Sequence, residues 1–414
     1  GKVEKAVRAP TVALAEACDE LLGTGGLLGR LVSLIEALAQ REPVARAAEV
    51  SGPQRPVCRW LPAGQTPTVG ESSARGAGPV NRFEFLVSTF GVGAGSFVGS
   101  AAPAETFRLG PGDVVSWQGI VSRLYELDAQ YGGGVVYDLA LQARRQLRRM
   151  LHRASYGPST GEALNVVLGE LNSAAGWLAF DSGRQAEARH WWLEASHTAR
   201  LIGDDRLFVD AASLLSRQAA ELGQPREAID LAEAAQLAAK PWGTPRLRSH
   251  LLSLEAFATS RADDQRATWD ALHEAEALLD SGPHDDDPSW LSFWDEADFR
   301  CCETRAALTL GQLSLAEHSS RTALALVRPE YSRNRVSYLT IHAEVLVKQR
   351  KIDEAVSTAA QAVEDASDIS SARIDARLSQ MRAELARYSD QPKVAEFLDW
   401  SGQMMGAKAN GSVV

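Results

Sequence analysis

One spacing constrains the fold of this chain more than any other: a turn residue followed five positions later by alanine. It occurs at Gly183 and Ala188, at Gly223 and Ala228, at Gly311 and Ala316, and at Arg350 and Ala355, with a blurred copy at Ala262 and Ala267. Successive turn residues are 39 to 49 positions apart, and each separates two segments of helical periodicity. Repeated helix–turn–helix units of this period predict an α-solenoid, in which each unit packs only on its neighbours.

The first unit also fits the tetratricopeptide pattern. Gly176 falls at its small eighth position, Trp192 at its bulky position and Ala195 at its later small position. Small residues at these places let two helices cross closely. The period near 40 exceeds the standard of about 34. The sequence therefore predicts an all-α fold, a right-handed superhelix of antiparallel, tetratricopeptide-like helix pairs with a Pro/Gly-rich N-terminal linker.

Composition divides the chain into four parts. Residues 1–40 contain two short amphipathic helical patterns, and residues 41–112 contain eight of the seventeen prolines, which interrupt helices and central strands. We expect a flexible linker over 41–112, a repeat domain over 113–400 and a disordered tail over 401–414.

Several function classes are disfavoured. The chain has none of the common hydrolase, zinc-protease or P-loop motifs, and its eight histidines are scattered, so we expect no enzyme, no cofactor and no metal site. The acidic loop Pro283–Pro288 lacks the ligand spacing of a cation site and is interpreted as a solvated turn. The net charge of −10 argues against nucleic-acid binding by the whole chain. No segment is apolar enough to span a membrane, and the cysteine usage indicates the cytoplasm.

Two segments resemble a known family. The run from Gly1 to Gly26, with Ala9-Pro-Thr11 and Leu14-Ala-Glu-Ala-Cys18, resembles the last part of a lambda-repressor-like (XRE-type) helix-turn-helix domain of actinobacterial regulators. The string Leu127-Asp128-x-x-Tyr131-Gly-Gly-Gly134, with Arg82-Phe-Glu-Phe-Leu86 upstream, resembles the start of their C-terminal half. The resemblance implies a transcriptional regulator with tetratricopeptide-like repeats. The base-reading helices would largely precede Gly1, so residues 1–40 would be a remnant of that domain.

The repeat register predicts which side chains face inward, because the first helix of each pair lines the inner surface of a solenoid. The equivalent inward positions are Trp177, Arg217, approximately Ala256, Arg305 and Glu344, and Asp210 and Asp298 lie one or two turns earlier on the same faces. Charged side chains beside a tryptophan suit a groove that holds an extended peptide or a small ligand. The alternative is that Arg217 and Arg305 pair with neighbouring carboxylates and only join the repeats.

One helical segment is rich in arginine and is the candidate for DNA contact within the body. Its arginines include Arg144, Arg145, Arg148 and Arg149. The alternative is a solvated face whose arginines pair with the acidic remainder of the chain.

Two functions remain open. The first is a transcriptional regulator whose repeats sense a peptide or small molecule or form a homodimer, and which binds DNA through its N-terminal domain. The second is a free-standing adaptor whose groove binds a partner protein, with residues 1–40 as a cap.

Overall fold

The computed structural model describes residues 108–409, which contain fourteen α-helices and no strand. The helices are α1 (Pro111–Tyr131), α2 (Gly133–Arg153), α3 (Pro158–Asp181), α4 (Gln185–Ile202), α5 (Asp205–Glu221), α6 (Pro225–Ala239), α7 (Pro245–Arg261), α8 (Gln265–Leu279), α9 (Glu296–Thr309), α10 (Leu313–Leu326), α11 (Ser332–Lys348), α12 (Ile352–Asp365), α13 (Ala372–Leu385) and α14 (Pro392–Ala409). Each helix from α1 to α12 packs on the next along the chain, and the closest packing is within successive pairs, which confirms the tetratricopeptide-like solenoid.

Each of the five pairs from α3/α4 to α11/α12 reverses at one residue in the left-handed backbone region. The φ angles are +75° at Gly183, +73° at Gly223 and +74° at Gly311, and they are +60° at Asp263 and +62° at Arg350. Glycine adopts this conformation without a steric cost, which is why the turn residue is usually glycine. The turns are therefore equivalent in all five units, including the blurred third one, whose turn residue is Asp263 rather than Ala262.

The alanines of the predicted spacing lie where the two helices of a pair cross. Ala188, Ala228, Ala316 and Ala355 are all 0% exposed. In the first pair a Cβ on Gly176 would lie 2.4 Å from Trp192 Nε1, so only glycine fits beneath the indole. The predicted small positions are small because the helix backbones approach closely.

The odd-numbered helices form an inner layer that closes on itself. Helices α3, α5, α7, α9, α11 and α13 contact one another in that order, and α13 returns to contact α3. The turn before α2 and the turn before α13 also meet, since a Cβ on Gly132 would lie 2.1 Å from the Ser370 carbonyl oxygen. Helix α1 lies against both α3 and α11. The repeat body thus makes one turn whose last units lie on its first.

The long interval between the third and fourth turns contains a segment that packs on α7. Residues Ser289–Phe293 form a 3₁₀ turn, and Trp290, Phe293 and Trp294 surround the ring of His250. Asp287 accepts a hydrogen bond from Thr244 Oγ1 and pairs with Arg246 at 3.4 Å. The prediction of a merely solvated turn was therefore incomplete, since this end of the acidic loop is anchored to α7.

The C-terminal boundary differs from the expectation of a disordered tail over 401–414. Helix α14 continues to Ala409. Met404 and Met405 pack against the core of the last units, and Lys408 Nζ lies 2.6 Å from Asp375 Oδ1. Residues 401–409 therefore form part of a helix that packs on the last units. The predicted helix-turn-helix remnant, residues 1–40, and residues 41–107 of the predicted linker lie outside the described residues.

Candidate functional site

Trp177, on α3, is surrounded by charged side chains of other inner helices. Its indole Nε1 donates a hydrogen bond to Asp128 Oδ2 over 2.8 Å. The guanidinium carbons of Arg217, Arg333 and Arg373 lie 5.5, 5.5 and 5.6 Å from the centre of its ring. Cations within about 6 Å of an indole face are attracted by its negative quadrupole. Trp177 therefore gathers arginines from α5, α11 and α13 around one ring.

Asp181, at the end of α3, joins the first and last units. It is fully buried and lies 3.4 Å from Arg333 Nη1 and 3.1 Å from Arg373 Nη2, and it accepts a hydrogen bond from the Gly133 backbone N–H. Burial alone would raise the pKa of Asp181, but the two guanidiniums offset it and leave this pKa below its usual value. Arg333 also lies 2.7 Å from Asp128 Oδ1. Two carboxylates of the first units thus hold two arginines of the last ones.

Glu221, at the end of α5, is surrounded by three arginines. Its Oε1 lies 3.1 Å from Arg305 Nη2, 3.5 Å from Arg377 Nη2 and 3.6 Å from Arg217 Nε. Burial opposes ionisation, yet Arg305 and Arg377 hold the pKa of Glu221 well below its usual range. Burial and then the nearby Arg305 lower the pKa of Arg377 to about 9. One carboxylate therefore serves three cations.

These side chains form one connected group, which we call the inner cluster. Its members are Asp128, Trp177, Asp181, Arg217, Glu221, Arg305, Arg333, Arg373 and Arg377. It holds five arginines and three carboxylates, so its ion pairs leave two positive charges uncompensated within it. Partly buried arginines repel one another unless anions compensate them. The excess lies at the Glu221 end, because the Asp128–Asp181 end has two carboxylates for two arginines.

The other predicted acidic residues lie on the same inner helices but outside these ion pairs. Asp210 accepts a hydrogen bond from Ser173 Oγ, and burial raises its pKa to about 6. Asp298 accepts one from the Tyr338 hydroxyl over 2.7 Å, and burial raises its pKa to about 7. Burial also raises the pKa of Glu344. A carboxyl group with a raised pKa is less ionised near neutral pH. These three groups therefore compensate less of the positive charge of the arginines than ordinary carboxylates would.

One predicted inward position differs by one residue in the structure. Since the third turn is at Asp263, the residue equivalent to Trp177 and Arg217 is Phe257, not Ala256. The Arg305 guanidinium lies 4.1 Å from the centre of the Phe257 ring. Thus Arg217 and Arg305, which α5 and α9 carry at equivalent positions, each cover an aromatic ring and share Glu221. Their function in ligand binding stays a prediction.

Six members of the inner cluster were missed by the sequence analysis: Asp128, Asp181, Glu221, Arg333, Arg373 and Arg377. Asp181 and Glu221 carry a signal, because each lies two residues before the turn glycine of its unit. The equivalent residues of the next three units, Arg261, Thr309 and Lys348, are not acidic. An acidic residue at this place therefore distinguishes the first two units from the next three. The other four carry no periodic signal.

The predicted DNA-contacting arginines of α2 separate into two environments. Arg144 is buried, donates a hydrogen bond to Asn172 Oδ1 and stacks over Trp191 at 4.4 Å. Arg145, Arg148 and Arg149 are exposed and lie in no ion pair with another residue of 108–409. Arg144 thus joins α2 to α3 and α4, whereas DNA contact by the other three stays a prediction.

Two free cysteines lie in the described part of the chain, Cys301 and Cys302, both on α9. Burial raises the pKa of the Cys301 and Cys302 thiols to about 11 and about 12, so neither is a ready nucleophile. Within residues 108–409 no group of three or more potential ligands is placed to hold a metal ion. None of the helices in this part of the chain is long and apolar enough to cross a membrane. The inner cluster offers charged side chains and an aromatic face with which a charged ligand could pair.

Comparisons with known proteins give a likeness to solved structures alone. Neither the protein-family models nor the curated proteins contain a match to this sequence. A solved structure described as "Crystal Structure of Rap Protein Complexed with Competence and Sporulation Factor" is similar with a TM-score of 0.46 and 13% sequence identity. The similarity covers 72% of this chain and 90% of that chain. A likeness this weak assigns neither a ligand nor a partner to this chain.

Proposed function

We propose that this protein is a cytoplasmic regulator whose repeat domain senses a peptide on the inner helices and passes the change to a DNA-reading domain. The observation that carries the proposal is the inner cluster. It places both cations and carboxylates around Trp177, and the arginines of α11 and α13 in it pair with carboxylates of the first units. A ligand bound there would meet the groups that close the ring.

A peptide suits this surface chemically. Extended peptides offer backbone donors and acceptors, a cationic and an anionic end, and apolar side chains in between. The inner helices offer arginines, the carboxyls of Asp210 and Asp298, and the faces of Trp177 and Phe257. The complementary groups are therefore spread over several units, which favours an elongated ligand over a compact one.

Sensing follows from competition between contacts. The ion pairs of Arg333 and Arg373 with Asp181 exist only when the first and last units touch. A ligand that binds better when these pairs are open shifts the population toward the open ring by its difference in affinity. The resulting movement of α1 relative to α13 is the signal that the N-terminal part of the chain would receive.

The test is peptide binding by the whole chain, followed by hydrogen exchange. A pooled hexapeptide library is screened by thermal shift, and hits are measured by calorimetry on the wild type and on Arg217→Ala and Arg305→Ala. We expect each variant to lose roughly tenfold or more in affinity, since each removes a charged contact worth about 1.5–3 kcal/mol. Exchange in α13 should rise on binding.

The matched control is Arg248→Ala, which removes an exposed arginine of α7 that pairs with Glu274 at 3.3 Å. It should bind peptide like the wild type. Equal affinity in all four proteins would contradict the proposal. Capture of a folded protein by the same surface, with no binding of short peptides, would support the adaptor function instead.

A further inference from the structure

We propose that the three-arginine site at Glu221 is an anion-binding subsite for a ligand carboxylate, and that Glu221 occupies it as an internal competitor. This inference rests on the proposed function, because the ligand whose carboxylate enters is the sensed peptide. It goes further in assigning the site, the chemical group it accepts and the residue that competes with that group.

The geometry of the site supports an anion. Arg217, Arg305 and Arg377 come from α5, α9 and α13, three helices on different sides of the inner layer, and all three approach one oxygen, Glu221 Oε1. The pair between Arg305 and Glu221 joins residues 84 positions apart. Guanidinium groups bind carboxylates through paired N–H donors. A single carboxylate uses only part of the donors that three guanidiniums provide.

Unused donors are present in the site. Arg217 Nε is buried and makes no hydrogen bond, and its nearest carboxylate oxygen is 3.6 Å away. A buried donor without a hydrogen bond costs free energy, which a second acceptor would recover. The site can therefore accept a carboxylate in addition to Glu221, or in its place.

Charge balance points to the same end of the inner cluster. Three cations face one ionised carboxylate at Glu221, while the Asp128–Asp181 end is balanced. Burial and then Arg305 lower the pKa of Arg377 to about 9, the direction expected where cations are crowded. Glu344 also faces this end of the inner cluster: Lys348, Arg377 and Arg305 act to lower its pKa, but burial outweighs them and raises it. The carboxylate that pairs with Arg377 is Glu221, at 3.5 Å.

Glu221 acts as a tethered competitor. Because it belongs to the same chain as Arg217, its effective concentration at the site is on the order of millimolar or higher. A ligand carboxylate must displace it or share the arginines with it. Removing the charge of Glu221 should therefore strengthen the binding of an anionic ligand, whereas loss of a purely structural ion pair would weaken or abolish it.

The experiment uses the full chain and two kinds of probe at constant ionic strength. The first is the pooled hexapeptide library, prepared once with free C-terminal carboxylates and once as C-terminal amides. The second is succinate, a small dicarboxylate, with chloride as the reference anion. Binding is measured by thermal shift and calorimetry for the wild type, Glu221→Gln and Arg377→Gln.

We expect free-acid peptides to bind more tightly than amides, and Glu221→Gln to increase their affinity about tenfold or more. Arg377→Gln should lower the affinity and remove the stabilisation by succinate. The double variant Glu221→Gln with Arg377→Gln keeps the net charge of the site and should bind more weakly than Glu221→Gln alone. It keeps the inference testable if Glu221→Gln does not fold, since its affinity can be compared with that of Arg377→Gln.

A matched control is Glu227→Gln, which breaks the ion pair between Glu227 and Arg189 on the outer helices α4 and α6. It should leave peptide affinity unchanged. Equal binding of acids and amides, unaffected by Glu221→Gln, overturns the inference and leaves the proposed function standing. Succinate binding that depends on Arg377, without binding of any peptide, supports the anion site and overturns the peptide ligand.

Discussion

The fold brings the pKa of the Asp298 carboxyl group close to neutral pH. Burial raises its pKa to about 7, while the hydrogen bond from Tyr338 acts in the opposite direction. An unfolded aspartate titrates near pH 4. A raised folded-state pKa contributes stability below the unfolded pKa, and this contribution is lost as the pH rises through the folded value. The free energy of unfolding from this group therefore falls between about pH 4 and pH 7.

The prediction is that Asp298→Asn stabilises the protein at pH 8 relative to pH 4.5. The amide oxygen still accepts the Tyr338 hydrogen bond, but it carries no charge to desolvate. We expect the difference in melting temperature between variant and wild type to be about 2 °C or more larger at pH 8. Thermal unfolding followed by circular dichroism measures it. Exposed Asp230→Asn on α6 is the matched control, and a difference independent of pH would refute the argument.

At the scale of the element, the turn between the two helices of a pair influences stability through its backbone conformation. In five turns the turn residue has the left-handed backbone conformation. In two of these turns the residue is not glycine but Asp263 or Arg350. A non-glycine residue in this region is strained by about 1–2 kcal/mol. The backbone strain has the same origin at Asp263 and Arg350, since each residue follows the end of the first helix of a pair.

We therefore predict that Arg350→Gly raises the free energy of unfolding by about 0.5–1 kcal/mol, because the relief of strain exceeds the added entropy of the unfolded chain. The reciprocal change, Gly311→Arg, should destabilise the protein. Urea unfolding of both variants measures the effect. A midpoint lower than that of the wild type in Arg350→Gly would show that the arginine makes contacts that outweigh its strained backbone.

The same turn explains how much could be predicted from the sequence. Its five-residue step to alanine is local, so helix pairs and the crossing positions of Ala188 and Ala228 could be predicted without any tertiary information. The third unit lacks glycine, and its register was placed one residue early, which exchanged Phe257 for Ala256. The inner cluster could be predicted only in part. Arg217 and Arg305 follow the repeat. Arg333, in contrast, pairs with Asp128, which lies 205 positions earlier in the chain, and no sequence period predicts this pair.

At the scale of the whole molecule, closure of the ring depends on a glycine. Gly132 has a φ of +83°, and a Cβ there would meet the Ser370 carbonyl oxygen at 2.1 Å. We predict that Gly132→Ala separates the last units from the first and enlarges the protein, seen as a larger radius of gyration in X-ray scattering. Gly203→Ala is the matched control, because Gly203 has a φ of +71° but no atom within 4 Å of the added Cβ.

An unchanged radius in Gly132→Ala, with the Asp181 ion pairs intact, would show that the ring tolerates the methyl group. A similar expansion in both variants would assign the effect to backbone strain alone. The difference between the two variants, rather than either value, therefore measures the contribution of the contact between the turn before α2 and the turn before α13.

The contact between Asp181 and Arg373 also has a consequence for how the chain folds. It joins residues 192 positions apart, whereas helix pairs close within about 40. The entropy lost in closing a loop grows with its length, and distant contacts slow the search for the native state. The helix pairs should thus form early and the junction last. Under a pulling force applied to the two ends, the junction would be the first contact to rupture, and the pairs would then unravel one by one.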